Sequence, residues 1–502
     1  MKNKITLLNA LSNILLQFFT IVSAFIIPKI ILSYFGSEVN GLVSSLNQLL
    51  NYIALLEGGL NSVIMASLYK PLHDKDYDKV SSIIKTSKNF FRKISFIFIA
   101  YTLLLAIIYP ILSNNSFSYD YIFFLTLILS LKLFVQYCFS FSLKNLLNAD
   151  KKVYYVSFTQ LLLIVLDIIS TIIIVKVYPS IHILKLSSAI IFMLQPIIYS
   201  KIVKKYYTLD KKSLPNKELI KNRWDGFSIN VAAFIHGNTD ITILSIFKNL
   251  KIVSVYSVYS MVTIGLRQLV IAFSSGVSPS IGNLYVKNNK KELEEKFNVY
   301  EYVVFNLVFF LFTIGGLLIT PFVTLYTSNI HDMNYSQPLF GILMIIAEAF
   351  YVLRAPYISL AYGAGAFKDL KKCAYFEAII NIVLSLILVT KFGLVGIAIG
   401  TLIAMIYRTL YQVFYLKNHL IYRSVKIFLK KLFVYSLLTI IGVLICIYFI
   451  PIKPNSFMNW IICAIIYCII FALLYLVTSV SLYKKELLII KKYLFRKNLR
   501  SK

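Results

Sequence analysis

Five cations and four carboxylates of this chain lie inside long apolar stretches, away from any flanking charge cluster. The cations are Lys29, Lys132, Arg267, Arg354 and Arg408, and the carboxylates are Glu57, Asp167, Asp240 and Glu348. Ionisable groups in a hydrocarbon environment are costly, and they mark ligand pathways, relays or ion pairs. Guanidinium groups grip phosphate oxygens in a two-pronged fork, and a lysine ammonium holds them as a point charge. The set therefore marks candidates for lining a cavity that binds an anion, or for structural ion pairs. Arg267 lies near the middle of its run, where snorkelling is difficult. Arg354 is also deep, and Pro356 just beyond it should open the local backbone. Arg408 and Lys29 stand closer to the ends of their runs and can reach polar surroundings by snorkelling. Lys132 is mid-run in a less polar stretch, and Pro28 beside Lys29 predicts a kink.

Two polar stripes accompany these charges. Asn9, Asn13, Gln17 and Thr20 recur at helical spacing, and Asn47, Asn51, Glu57, Gly58 and Asn61 share an arc of about 120° at roughly 100° per residue. Such stripes serve as hydrogen-bonding glue between helices or as the hydrophilic wall of a ligand cavity. Glu57 is a candidate partner for an arginine or carrier of a coupling proton. Asp240, with Asn238 and His236 close in sequence, is its counterpart later in the chain. Asp167 and Glu348 complete the coupling or ion-pair set. His236 by itself reads as structural.

These residues must be held by elements that suit lipid. Of 502 residues, 59% are hydrophobic and only 14% charged, against about a quarter charged in a soluble domain. Apolar windows of about 20 residues, the length of a spanning helix, recur at 9–33, 41–67, 90–112, 120–146, 153–177, 181–200, 225–247, 252–278, 299–320, 336–362, 373–390, 392–416, 432–450 and 457–480. Backbone groups in lipid must bond internally, so the spans are helices or a closed barrel. The runs do not alternate as barrel strands do. The expected fold class is an all-α integral membrane protein of about fourteen helices.

The net charge of +30 would suit nucleic acid, but its distribution follows topology instead. With a cytoplasmic N-terminus, 40 of the 51 Lys and Arg fall in cytoplasmic segments. Six fall in outer loops, at Lys176, Lys185, Lys248, Lys251, Lys391 and Lys453. This positive-inside bias places both termini in the cytoplasm. The long basic loops 68–89 and 201–224, and a basic helix over Lys484–Lys502, are expected on anionic phospholipid. The five cysteines, Cys138, Cys373, Cys446, Cys463 and Cys468, form no CxxC pair, so neither metal nor disulfide chemistry is expected.

A weak internal repeat divides the chain. Leu68-Tyr69-Lys70 and Leu284-Tyr285-Val286-Lys287 close corresponding spans, as do Ala149-Asp150-Lys151 and Ala366-Phe367-Lys368, and Leu32-Ser33-Tyr34-Phe35 and Leu244-Ser245-Ile246-Phe247. The offsets of these pairs are close to one another. They imply two parallel, pseudo-symmetric six-helix bundles. The expected organisation is a first half over 1–205, a linker over 206–224, a second half over 225–416, an extra helix pair over 417–483 and a basic tail over 484–502.

The first hairpin, Ile27-Pro28-Lys29-Ile30-Ile31-Leu32-Ser33-Tyr34-Phe35-Gly36 then Val39-Asn40-Gly41-Leu42, resembles that of the multidrug/oligosaccharidyl-lipid/polysaccharide exporter superfamily. So do Leu55-Leu56-Glu57-Gly58-Gly59-Leu60, the exit Tyr69-Lys70-Pro71-Leu72 and the run Asn238-Thr239-Asp240-Ile241-Thr242-Ile243-Leu244-Ser245. The chain looks most like the polysaccharide branch, with its Wzx-type O-antigen and capsule flippases and its teichoic acid flippases. That resemblance implies a bacterial plasma-membrane flippase. It would carry an undecaprenyl-(pyro)phosphate-linked oligosaccharide or teichoic acid precursor outward by alternating access. Arg267, Arg354, Lys29, Arg408, Lys132, Asn13, Gln17, Asn47, Asn51 and Asn61 would form its substrate cavity. Partners would be the lipid-linked glycan, anionic phospholipids and glycan polymerase or ligase machinery, with the monomer sufficient for transport and no nucleic acid involved.

The alternatives are a cation-coupled drug exporter, whose cavity should favour carboxylates, and a membrane glycosyltransferase or polymerase. The outer loops carry only isolated acids, Glu38, Asp120 and Asp332, which argues against an enzyme. No Walker motif is present, so no nucleotide cofactor is expected. Coupling to an H+ or Na+ gradient or to the membrane potential is expected instead.

Overall fold

The computed structural model describes residues 2–57, 60–112, 117–210, 213–216, 224–286, 289–450 and 452–499. The described chain is helical: α1 Lys2–Asn51, α2 Leu60–His73, α3 Tyr77–Leu112, α4 Tyr119–Val135, α5 Phe141–Ala149, α6 Val153–Val177, α7 Ile181–Tyr206, α8 Trp224–Phe247, α9 Leu250–Val286, α10 Lys290–Tyr326, α11 Pro338–Leu353, α12 Ala355–Gly363, α13 Phe367–Phe392, α14 Leu394–His419, α15 Val425–Phe449, α16 Phe457–Leu482 and α17 Lys484–Leu499. Among the described residues, twelve helical stretches are long and apolar enough to cross a membrane. The expected spans 9–33 and 41–67 join into one stretch there, and 225–247 is the helix α8. Large side chains turn outward along the stretches, as lipid-facing surface requires: Ile111, Phe433 and Phe449 are 70%, 69% and 80% exposed.

Several spans are interrupted, each with a local cause. In α1, Gly36 takes φ 79° and ψ 178°, a backbone region closed to side-chain-bearing residues, and splits the helix between the first two spans. Pro28 lies inside the helix before it. The second span continues from α1 through a 3-10 turn at Tyr52–Glu57 before α2. A π-turn at Gln136–Ser140 separates α4 from α5. Both kinds of mid-helix irregularity relax the regular hydrogen-bond ladder and recur at hinges and functional sites. The tenth span breaks at Arg354, with Pro356 as the second residue of α12, as that proline led one to expect. The expected loop over 68–89 shrinks to a turn at 74–76, because α2 runs to His73 and α3 begins at Tyr77.

The chain divides into two compact units, residues 1–257 and 258–502. In the first, Phe91, Tyr137, Tyr199, Leu68 and Leu146 form one buried cluster, and Leu42, Leu46, Ile122 and Leu125 form another. Helix α8 belongs to this unit rather than to the second half. Gln48 donates to Asn238, and Tyr52 donates to Asn238 O and Thr242 Oγ1 at 3.3 and 3.2 Å. Asn40 donates to Ser254 and Ser257 at 2.8 and 3.2 Å, across sequence separations of 214 and 217. The segment after α7 lies along α3: Ser82 donates to Leu214 O, and the backbone of Asn216 donates to Thr86.

The second unit has an aromatic core in which Phe305 packs edge-on against Phe428 and Phe297 against Tyr357. Helices α9 and α12 cross at Gly282 and Gly363, where a Cβ on Gly363 would stand 2.4 Å from Gly282 Cα.

Candidate functional site

In the first unit, four elements turn polar stripes onto a cavity of about 540 Å³. From α1 come Thr20, Ser23 and Asn47. Lys132 comes from α4, with Gln136 at the π-turn; Gln160, Asp167 and Thr171 come from α6, and Lys185, Ser188 and Gln195 from α7. The spacing explains the convergence. Positions 160, 164, 167 and 171 fall on one face of α6, and 185, 188, 192 and 195 on one face of α7. Both faces are otherwise apolar, so packing them inward carries the polar groups with them.

The electrostatics of this cavity are unusual for a membrane interior. Two ammonium groups and one carboxylate line it. Lys132 Nζ lies 3.4 Å from the centre of the Phe192 ring, which stabilises the cation without neutralising it. Asp167 is the carboxylate whose charge both Lys132 and Lys185 feel. Among the described residues no salt bridge joins it to either lysine. Asp167 Oδ1, Thr171 Oγ1 and Gln195 Oε1 are buried with no hydrogen-bond partner among the described residues. Buried polar atoms are normally paired; here they line a cavity that can hold a polar, anionic molecule.

The structure brings Lys132, Asp167 and Asn47 of the expected set together here, with Thr20 of the first stripe. Lys185, read from sequence as an outer-loop lysine, sits instead inside α7 and lines the same cavity. Lys29 is one residue beyond the lining Pro28. The rest of the stripes are engaged elsewhere. Asn9 bonds the backbone of Lys151 and Tyr154, and Asn13 accepts from Ser157 at 2.6 Å. Gln17 and Asn51 are exposed.

A second polar group of this unit gathers where two spans are interrupted. Glu57 accepts from Tyr137 at 2.6 Å and from Asn61 at 2.5 Å, and Asn61 accepts from Asn145 at 2.7 Å. Lys144 contributes a nearby positive charge. Asp240 accepts from Tyr256 at 2.9 Å. Gly58 and the His236 side chain lie outside the described residues.

In the second unit the expected arginines are matched to carboxylates. Arg267 Nη1 reaches both oxygens of Glu348, at 2.9 and 3.2 Å. Arg354 donates to one oxygen of Glu377 at 2.8 Å and Arg408 to the other. Glu301, wholly buried, accepts from Arg423, Lys431 and Tyr357. For Arg423, burial alone would lower the pKa, and the Glu301 and Tyr357 partners outweigh it and raise it. Sequence reasoning missed Glu301, Glu377, Arg423 and Lys431, because each stands at a span edge, where a charge ordinarily reaches water. The signal was their equal number: two acids and two bases beside spans rich in aromatic residues.

The second unit also carries an apolar groove of about 460 Å³ between α10, α11 and α15, lined by residues such as Phe309, Phe312, Ile346, Leu432 and Ile440. Its chemistry suits hydrocarbon.

No family model matches the chain. It is 25% identical over 298 residues to an uncharacterized membrane protein of Methanocaldococcus jannaschii, covering 58% of this chain and 56% of that protein. The chain thus spans little more than half the length of the curated relative it matches. Among solved structures, it resembles the lipid II flippase MurJ in an inward closed conformation, with a TM-score of 0.71, 17% identity, and coverage of 93% of this chain and 98% of that one. It resembles an inward-facing multidrug resistance MATE family transporter of the MOP superfamily, with a TM-score of 0.55, 15% identity, and coverage of 78% and 93%. It resembles a eukaryotic MATE transporter, with a TM-score of 0.60, 13% identity, and coverage of 82% and 95%. The chain shares their fold. It is a multi-pass membrane protein, and these neighbours are transporters and flippases rather than enzymes.

Proposed function

We propose that this chain is a flippase that moves a lipid-linked, phosphate-bearing glycan precursor from the cytoplasmic to the outer face of a plasma membrane. The observation that carries the reading is the cavity of the first unit, which Lys132 and Lys185 line and where, among the described residues, neither forms a salt bridge. A phosphate or pyrophosphate linkage is the part of such a substrate that lipid most disfavours. Two point charges beside Gln160, Ser188, Gln195 and Asn47 offer it counter-charge and hydrogen bonds. The fold shared with a lipid II flippase supports the same class. The groove on the second unit offers a hydrocarbon surface of the kind a polyprenyl chain would follow.

In this reading the substrate is an undecaprenyl-linked oligosaccharide or teichoic acid precursor, transport proceeds by alternating access, and both termini face the cytoplasm. An H+ or Na+ gradient or the membrane potential supplies the drive. Polymerase or ligase machinery takes up the product, and anionic phospholipid receives the basic loops. The arginines of the second unit hold its helices together through Glu348, Glu377 and Glu301, and the lysines of the first unit meet the substrate. The drug-exporter reading has the MATE-like fold in its favour, but the cavity's positive excess opposes a cationic cargo.

The test is complementation of hosts depleted of their own lipid-glycan flippase, comparing wild type with Lys132→Ala, Lys185→Ala and Arg267→Ala at matched membrane levels. Restored surface glycan, lost on removing either lysine, supports the proposal. Wild type failing in hosts for capsule, teichoic acid and lipid II alike would overturn it.

A further inference from the structure

The formal charges lining the first-unit cavity do not balance the headgroup proposed for it. Lys132 and Lys185 contribute two positive charges and Asp167 one negative, so the lining carries one net positive charge. A phosphodiester head, with one ionised oxygen, matches that charge. A pyrophosphate diester, with two, leaves one negative charge in excess. In a low-dielectric site such an excess is far more costly than in water. Resting on the flippase reading, we propose that the cavity takes up one proton with each pyrophosphate-linked headgroup, and that Asp167 is the residue that accepts it.

The surroundings leave Asp167 as the acceptor. It is the one carboxylate among the residues that line the cavity. Both lysines enter that balance at their formal positive charge. From α1 the cavity meets Thr20, Ser23 and Asn47, which do not titrate, with Lys29 one residue past Pro28. On α7, His182 is engaged with Tyr121, through a contact at 2.9 Å to its carbonyl and an edge-on ring contact. On α5, Lys144 faces Glu57, which is committed to Tyr137 and Asn61. Asp167 Oδ1 has no donor among the described residues. An ionised carboxylate there repels an incoming phosphoryl oxygen, whereas the protonated form can donate a hydrogen bond to it. The step is a proton transfer from solvent to the Asp167 carboxylate; no covalent bond of the substrate changes. The loaded cavity is then formally neutral, while the unloaded one carries one positive charge. The membrane potential would act on the return of the unloaded carrier.

The experiment is calorimetry on the purified full chain in detergent, with two probes that share one short isoprenyl tail and one sugar. The first has a pyrophosphate diester linkage and the second a phosphodiester. Each is titrated in two buffers of different ionisation heat, which counts protons, and at several pH values. The wild type is expected to take up about one proton per pyrophosphate probe, its affinity weakening about tenfold per pH unit. It should take up none with the phosphodiester probe. Asp167→Asn should bind the pyrophosphate probe with no uptake and no pH dependence. Pyrophosphate binding by the wild type without proton uptake overturns the proposal and leaves the flippase reading standing. Uptake that persists in Asp167→Asn overturns the assignment of the acceptor. Failure of the wild type to bind either probe overturns the substrate reading itself. The two-probe comparison on the wild type stands even where the variant fails to fold.

Discussion

Replacing Glu377 by Gln distinguishes two roles for Arg354 and Arg408. The Glu377 carboxylate lies between the two guanidinium groups, and the three side chains are 3%, 5% and 6% exposed. With so little solvent to screen them, the energetics are those of a buried network. Removing one partner of a buried pair leaves an uncompensated charge and costs about 3–5 kcal/mol. Here one substitution strands two cations, and the Nε atoms of both arginines already have no hydrogen-bond partner among the described residues. For a body of this size each kcal/mol shifts the melting temperature by roughly 2–4 °C, so Glu377→Gln should lower it by roughly 6–20 °C. The assay is a fluorescence thermal-shift measurement on detergent-purified protein, read beside transport in vesicles. A companion variant replaces Arg354, Glu377 and Arg408 together with Met, Leu and Met. It removes every charge and should recover most of the loss, since apolar replacements of whole buried networks are often neutral. A Glu377→Gln protein that melts within about 2 °C of wild type, and binds anionic headgroup more tightly, would refute the reasoning. It would show two arginines held in reserve for substrate.

Two further outcomes test the packing. Gly363→Ala should destabilise by about 1–3 kcal/mol, the usual range for overpacking, because its Cβ would meet Gly282 Cα at 2.4 Å, whereas Gly282→Ala, at 3.2 Å, should cost less; thermal shift on both checks the order. Asn40→Ala removes the bonds to Ser254 and Ser257 and should cost about 1 kcal/mol, seen as a small fall in melting temperature with the oligomeric profile unchanged.

Much of the architecture was legible in the residues alone. Apolar run length forces helices, because lipid offers the backbone no partners. The breaks were legible where a residue type imposes them: Pro356 beside Arg354 ends a helix, and Gly36 supplies a left-handed turn between the first two spans. The 3-10 turn at Tyr52–Glu57 and the π-turn at Gln136–Ser140 were not, since no proline lies within either.

For the site, sequence named candidate residues and could not rank them. Arg267, Arg354 and Arg408 looked alike to Lys132 as intramembrane cations. Which cation meets a carboxylate depends on contacts between distant segments, such as Arg408 with Glu377 or Lys431 with Glu301. Those acids and bases seemed harmless at span edges until packing buried them. Lys185 was counted with the outer loops although it falls inside the expected span 181–200; only the packed helix, which begins at Ile181, shows it lining the cavity. Composition and run length determined that this is a helical membrane protein with cations in its interior. The tertiary structure alone decided that the second unit's arginines pair with carboxylates, while Lys132 and Lys185 line a cavity and, among the described residues, form no salt bridge. A charge's partner is a property of three-dimensional proximity, and run length carries no record of it.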